Sequence, residues 1–286
     1  MPRRIAAALL LLASVLIARD ARADIVVSAP PSLAPFAERV RAIDAAALAD
    51  ALESAGLELP PAIRVTLVPN ADADARAVPD WIAGLAFGDR DIVIFPERVL
   101  SYPYDSLESV VRHEVAHLAL NARAGGAPLP RWFHEGVATS VDVGWRTAAQ
   151  FRLLLAMLAR PDTAEITRLF VSESQSETEQ AYLLSALLVH HVRSRYGAAV
   201  PGAIARRVAS GTTFADAFRA ETGLTPDRAA DEAWLGYRRW TEWVPAVTSP
   251  SAAWAAIVVL ALLAFAVQRR RRARRRRQWD EEGSSP

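Results

Sequence analysis

Beyond residue 105 the hydrophobic spacing of this chain is helical almost throughout, whereas every strand candidate lies before it, and that division constrains the fold. Before it, Ile63 to Val68 alternates apolar and polar residues. Asp91 to Phe95 is a β-branched run that follows Ile82 to Phe87 across the turn residues Gly88, Asp89 and Arg90. These runs read as strands, the last two as a hairpin. Phe36 to Ala55, rich in Ala and stopped at Gly56, reads as a helix, and Asp24 to Pro35 as a Pro- and Ser-containing lead-in. Beyond Asp105, helical spacing persists over residues 106–122, 131–143, 146–159, 178–196, 201–210, 212–221 and 226–243, punctuated by Gly125, Gly126, Pro161, Gly197, Gly211 and Gly223. Strands first and helices afterwards imply an α+β domain, a small N-terminal β-sheet followed by a mainly helical part, rather than alternating β-α-β units.

Charge and cysteine content narrow the chemistry. The chain has 286 residues, with 33 basic against 32 acidic side chains. All the basic residues are Arg, which points to GC-rich coding and a bacterial source. Eight of them lie between Arg269 and Arg277 and four before Asp24, so the stretch from Asp24 to Pro250 holds 21 Arg against 28 acids. An acidic middle argues against a nucleic-acid partner. There is no cysteine, hence no disulfide and no thiolate metal site; a metal would have to be held by His and carboxylates.

Both ends carry targeting signals. Residues 1–23 combine Arg3 and Arg4, an apolar stretch from Ile5 to Ala18 and the small-x-small run Ala21-Arg22-Ala23, the form of a cleavable signal peptide; an uncleaved anchor is the alternative. Residues 244–268 are uncharged, with Trp240, Trp243 and Trp254 near the outer end, and are followed at once by the Arg run. That pattern predicts one C-terminal transmembrane helix with residues 269–286 as a cytoplasmic tail, a buried core helix being the alternative. The expectation is a single-pass protein of the bacterial cytoplasmic membrane, with residues 24–243 as an exported domain on the periplasmic or extracellular side. His113 lies in a charged, amphipathic stretch, so any chemistry there belongs in water above the bilayer.

The chemistry is carried by His113-Glu114-Val115-Ala116-His117. Asp105 and Glu108 give a helix start, and Leu107, Val110, Val111, Val115 and Leu118 an apolar face. On such a helix His113 and His117 lie one turn apart on the same side and can hold one Zn2+. Glu114, about 100° around, can serve a water there as general base without being a ligand. A catalytic zinc needs a third protein ligand and an open position. Glu135 follows His117 by 18 residues, enough to finish the helix, cross a Gly/Pro loop and enter an antiparallel second helix; Gly136 beside it would permit close packing. His134, next to it, should point elsewhere.

The two motifs together, His113 to His117 and Trp132-Phe133-His134-Glu135-Gly136-Val137-Ala138, resemble the gluzincin metallopeptidases, specifically the peptidase MA-like family, whose pattern is H-E-x-x-H followed by W-x-x-E-G-x-A. The resemblance covers roughly residues 80–145. It implies a thermolysin-like zincin catalytic core in which His113, His117 and Glu135 ligate zinc and Glu114 is base and proton shuttle. Asp142, seven residues after Glu135 and on the same helix face, is the candidate to accept the outer N–H of a ligand histidine, as acids at this offset do in related gluzincins; a solvated helix-end acid is the alternative. The family's later helix resembles Ala181-Tyr182-x-x-Ser185 through Tyr196-Gly197, which nominates Tyr182 as oxyanion donor. A core tyrosine is the alternative there, and His190 and His191 are competing donors of which at most one could face the site. In zinc peptidases the outer edge of a hairpin pairs with extended substrate; here Gly84 to Phe87 and Asp91 to Phe95 would form that hairpin, a plain sheet edge being the alternative. Tyr102 and Tyr104 are cleft candidates, with packing between strand and helix as their other use.

The expected function is therefore a membrane-anchored, zinc-dependent metallopeptidase that hydrolyses peptide bonds of a peptide or protein substrate outside the cytoplasm. Zinc-activated water would attack, with Glu114 as base. The alternatives are a catalytically silent, zinc-stabilised module that binds peptides or an envelope partner, against which the presence of Glu114 argues, and a zinc hydrolase of a non-peptide envelope amide.

Overall fold

The computed structural model describes residues 24–99, 106–141, 160–172 and 174–236. The chain divides into two units, Met1–Ala233 and Trp234–Pro286, and the first carries all the features below. Its elements run β1 (Asp24–Ser28), α1 (Ala34–Arg41), α2 (Ala45–Ser54), β2 (Ala62–Leu67), the single turn α3 (Ala73–Arg76), β3 (Gly84–Phe87), β4 (Asp91–Ile94), α4 (Leu107–Arg123), α5 (Arg131–Val141), α6 (Thr163–Leu169), α7 (Gln175–Tyr196), α8 (Val200–Ala209) and α9 (Phe214–Thr222).

The four strands form one sheet in the order β1-β2-β4-β3. β1 pairs with β2 in parallel (Asp24 opposite Ala62), β2 with β4 in parallel (Arg64 opposite Asp91), and β3 with β4 antiparallel (Gly84 opposite Ile94). Alternation in β2 buries Ile63, Val65 and Leu67 and leaves Arg64 and Thr66 outside; in β4 it buries Ile92 and Ile94. The sheet therefore has one helix-covered face, and on its open face Arg64 and Asp91 meet across the register at 2.6 Å.

Two expectations about fold class need correcting. The molecule is mixed α/β and not an α+β domain with segregated layers: β1 and β2 run parallel, so α1 and α2 form the crossover that parallel neighbours require. Asp24–Ser28 does not announce itself as a strand, because five residues bounded by Pro30 and Pro31 are too short to declare a period. The second correction concerns the C-terminal transmembrane helix. Among the described residues no helix is long and apolar enough to cross a membrane. The longest, α7, has the length but carries Glu177, Glu179, Arg193 and Arg195. Residues 1–23 and 244–286, on which the targeting readings fall, lie outside the described residues, as does the expected helix at 146–159.

Local chemistry explains the element boundaries that matter for the site. The helix expected over 36–55 is two helices, because the Asp44 carboxylate accepts the N–H groups of Ala46 and Ala47 and restarts the helix there. α4 begins at Ser106, whose hydroxyl accepts the N–H of Ser109 at 3.1 Å. Its first-turn Glu108 meets the Arg39 guanidinium through two oxygens, at 3.1 and 2.9 Å, which ties α1 to α4. α4 packs on β3 and β4 on one side and on α5 on the other, and α5 packs in turn on α7. Gly125 and Gly126, both at positive φ, turn the chain from α4 into α5.

Candidate metal centre

The one-turn spacing of His113 and His117 sets both rings on the same side of α4, their centroids 4.6 Å apart and their planes nearly perpendicular. Glu135 arrives on α5, held close because Gly136 lets that helix lie against α7. A side chain there would overlap the Ser185 carbonyl and approach a methyl of Val189 to 2.7 Å. The Oε2 atom of Glu135 stands 3.3 Å from His113 Nε2 and 3.4 Å from His117 Nε2. One ligand atom from each of the three residues falls within 4.8 Å of the other two.

Those separations fit a metal. Donors bound at about 2.1 Å around a tetrahedral ion stand about 3.4 Å from one another. Two imidazole nitrogens and a carboxylate, with no thiolate in the chain, make a donor set suited to zinc with a coordination position left over. Burial by itself would raise the pKa of Glu135. The imidazoles of His117 and His113 overcome it and hold the carboxyl well below its usual range, so the group is an anion facing two nitrogens. Its other oxygen, Oε1, is 3.8 Å from Arg131 Nε one turn earlier. Arg131 is itself held by the Phe170 carbonyl, at 3.2 Å, and lies over the Phe170 ring.

Glu114 occupies a different side of α4. It is buried and lies directly beneath Gly84 at the start of β3: a Cβ built on Gly84 would come to 2.7 Å from Glu114 Oε1 and 2.8 Å from its Cγ. The absent side chain of Gly84 is what gives the carboxylate its space. In the sequence Gly84 reads as part of a strand and hairpin edge, and the signal for this further role is a Gly inside an otherwise apolar run.

These residues line one cleft of about 270 Å³. Its walls are Trp81, Ile82 and the β3 residues Gly84, Leu85 and Ala86 on one side, His113, Glu114 and His117 along α4, Arg131, His134 and Glu135 on α5, and Tyr182 on α7. The segment bearing Trp81 and Ile82 is fastened by Arg98, which is buried and donates to Asn70 Oδ1 at 2.8 Å and to the carbonyls of Ala75 and Pro79 at 2.7 and 3.0 Å. No sequence pattern marks Arg98 for that role. Tyr182 faces the cleft, its ring centre 6.3 Å from that of His113 and its edge against Phe170. His190 and His191 do not line it. Asp142, Tyr102 and Tyr104 lie outside the described residues.

His134 differs from expectation. It does not point elsewhere: its Nδ1 is 2.6 Å from Nδ1 of His117, and its ring forms part of the cleft wall. Burial, with the neighbouring His117 ring acting in the same direction, lowers its pKa to about 4, so it is a neutral imidazole. Adjacent residues on a helix diverge by about 100°, which places Glu135 toward the Nε2 edge of His117 and His134 toward its Nδ1 edge.

No protein-family model, curated protein or solved structure matches the chain.

Proposed function

We propose that the chain is a zinc-dependent metallopeptidase that hydrolyses peptide bonds, and, from its N-terminal signal, that it works outside the cytoplasm. The observation that carries the reading is the meeting of His113 Nε2, His117 Nε2 and Glu135 Oε2 at separations suited to a tetrahedral ion, with a fourth ionisable group, Glu114, in the same cleft and outside the ligand set. A purely structural site has no use for that fourth group. Zinc, when bound, supplies Lewis acidity that polarises a carbonyl and lowers the pKa of water.

The chain's own residues supply the rest. The edge strand β3, last in the sheet order, offers its backbone to a substrate strand in extended form, so the scissile bond is laid across the cleft between Gly84–Ala86 and the α4 imidazoles. Glu114 takes the proton of the attacking water and returns it to the leaving amine. The Tyr182 hydroxyl donates to the oxygen on which negative charge develops. Trp81, Ile82 and Leu85 give the cleft an apolar wall for substrate side chains.

The test is zinc stoichiometry of the purified full chain beside cleavage of a peptide library, run with the parent and with Glu114→Gln. The reading expects one zinc per chain in both proteins and cleavage by the parent alone. Equal behaviour of the two in cleavage, or parent protein that takes up no zinc, would overturn it.

A further inference from the structure

The short contact between His117 and His134 has one chemical interpretation. The ring centroids are 4.7 Å apart and the planes differ by 25°. That centroid separation is close to the 2.6 Å N···N distance plus the two ring radii, so the Nδ1 atoms meet head to head and the rings do not lie one above the other. Two nitrogens at this distance must share one proton: two lone pairs would repel and two N–H groups would collide. Which ring carries it is decided at the opposite edge. Nε2 of His117 faces Glu135 Oε2 at 3.4 Å and belongs to the convergent donor set, so its lone pair is needed there and its proton must sit on Nδ1.

We propose that His134 is the positioning residue of the metal centre: its Nδ1 accepts the Nδ1–H of His117 and thereby fixes the ring orientation and tautomer that present Nε2 to the ion. The inference rests on the zinc reading above. It assigns to His134 the part that the sequence assigned to Asp142. The usual acceptor for a ligand histidine is a carboxylate, a backbone carbonyl or water; here it is a second imidazole, on the helix that also bears the third ligand. α5 thus delivers the ligand Glu135 and the acceptor for the ligand His117 from adjacent positions, so one helix placement sets both. His134 is half-buried in the cleft wall and has no need to touch substrate to act in this way.

The test is the zinc Kd of the full chain, measured by competition with a chromophoric chelator, for parent, His134→Ala and His134→Asn. Asn places a carbonyl oxygen near the position of the imidazole Nδ1 and can accept the same proton. His134→Ala should weaken zinc binding about 10- to 100-fold, and His134→Asn should restore most of that loss. Heteronuclear NMR of the histidine rings in the zinc-loaded parent gives an independent readout: His117 should carry its proton on Nδ1 and show the metal at Nε2. Parental affinity in His134→Ala, a loss in His134→Asn as large as in His134→Ala, or metal at Nδ1 of His117 would each overturn the assignment. If His134→Ala fails to fold, the ring spectra and the Asn variant decide the matter. A parent that binds zinc with an indifferent His134→Ala refutes this inference alone, whereas a parent that binds none removes the peptidase reading as well.

Discussion

Adding one methyl group at Gly84 should disable the base without touching any charged residue. The new Cβ would stand 2.7 Å from Glu114 Oε1, 2.8 Å from its Cγ and 2.8 Å from a methyl of Val110, whereas ordinary contact begins near 3.4 Å. Val110 is fully buried in α4 and has little room to retreat, so the burden falls on Glu114, whose carboxylate must withdraw by about 0.7 Å. A misplacement of about 1 Å in a catalytic constellation costs on the order of 100-fold. Gly84→Ala should therefore lower kcat about 10- to 100-fold on any peptide the parent cleaves. Overpacking should take about 1–3 kcal/mol from stability. Zinc affinity should stay parental, since Glu114 lies outside the ligand set. The decisive assay is a double-mutant cycle with Glu114→Gln: if Gly84 acts through Glu114, the substitution adds little further loss in the Gln background. Full additivity, or parental kcat in a folded Gly84→Ala protein, would refute the reasoning.

Other perturbations follow from the same geometry. Glu114→Gln should keep stoichiometric zinc and lose about 10²- to 10⁴-fold in hydrolysis, read as turnover of metal-loaded protein. Gly136→Ala gains about 1 kcal/mol in helix propensity but forces a methyl into the Ser185 backbone; urea unfolding should show net destabilisation of about 2 kcal/mol, and chelator competition a weaker zinc site as α5 shifts. Desolvation lowers the pKa values of His190 and His191 on α7 below the usual 6.5, with Arg193 adding to it at His190 and Glu232 opposing it at His191. The unfolded chain then takes up protons that the folded chain refuses, so the stability these groups contribute is present above pH 6.5 and lost as pH falls toward their folded values. Unfolding free energies between about pH 7.5 and 5 should decline less steeply in a His190→Gln/His191→Gln protein; an unchanged slope would rule these histidines out.

What could be read from the sequence was whatever depends on residues close together along the chain. The i, i+4 spacing of His113 and His117, the helix under them, the Gly125-Gly126 reversal and the arrival of Glu135 on the next helix are all local or nearly so, and the structure brings these side chains together as the spacing required. What could not be read depends on pairs remote in sequence. The space beneath Gly84 exists only because β3 lies across α4. The α1–α2 crossover follows from β1 pairing with β2, and β1 has too few residues to show a period. His134 was misread for a related reason. One helix position from Glu135 means about 100° of rotation, which on an isolated helix points away from the metal, but the His117 ring is wide enough to offer Nε2 to one residue and Nδ1 to the next. Helical arithmetic locates Cβ atoms and leaves the reach of an aromatic ring to tertiary packing.

The burial of α4 sets up a test of whether its polar residues serve stability or an ion. Val110, Val111, Val115, Ala116, Leu118 and Leu120 are all enclosed, leaving the helix almost no solvent face, yet His113 and Glu114 sit among them at 2% and 3% exposure. Ionisable groups in such a place cost several kcal/mol to desolvate, and a buried ion pair commonly fails to recover that cost. If the cluster were there to hold the fold, replacing His113 and Glu135 together would be ruinous. If it is there to hold an ion, the metal-free protein should tolerate or prefer apolar substitutes. The double variant His113→Leu/Glu135→Leu, compared with the parent in excess chelator, should be as stable as the parent or more so, by up to about 1–4 kcal/mol, while losing zinc binding altogether. A loss of more than about 2 kcal/mol in chelator would make the cluster a structural one and leave the metal centre without its physical rationale.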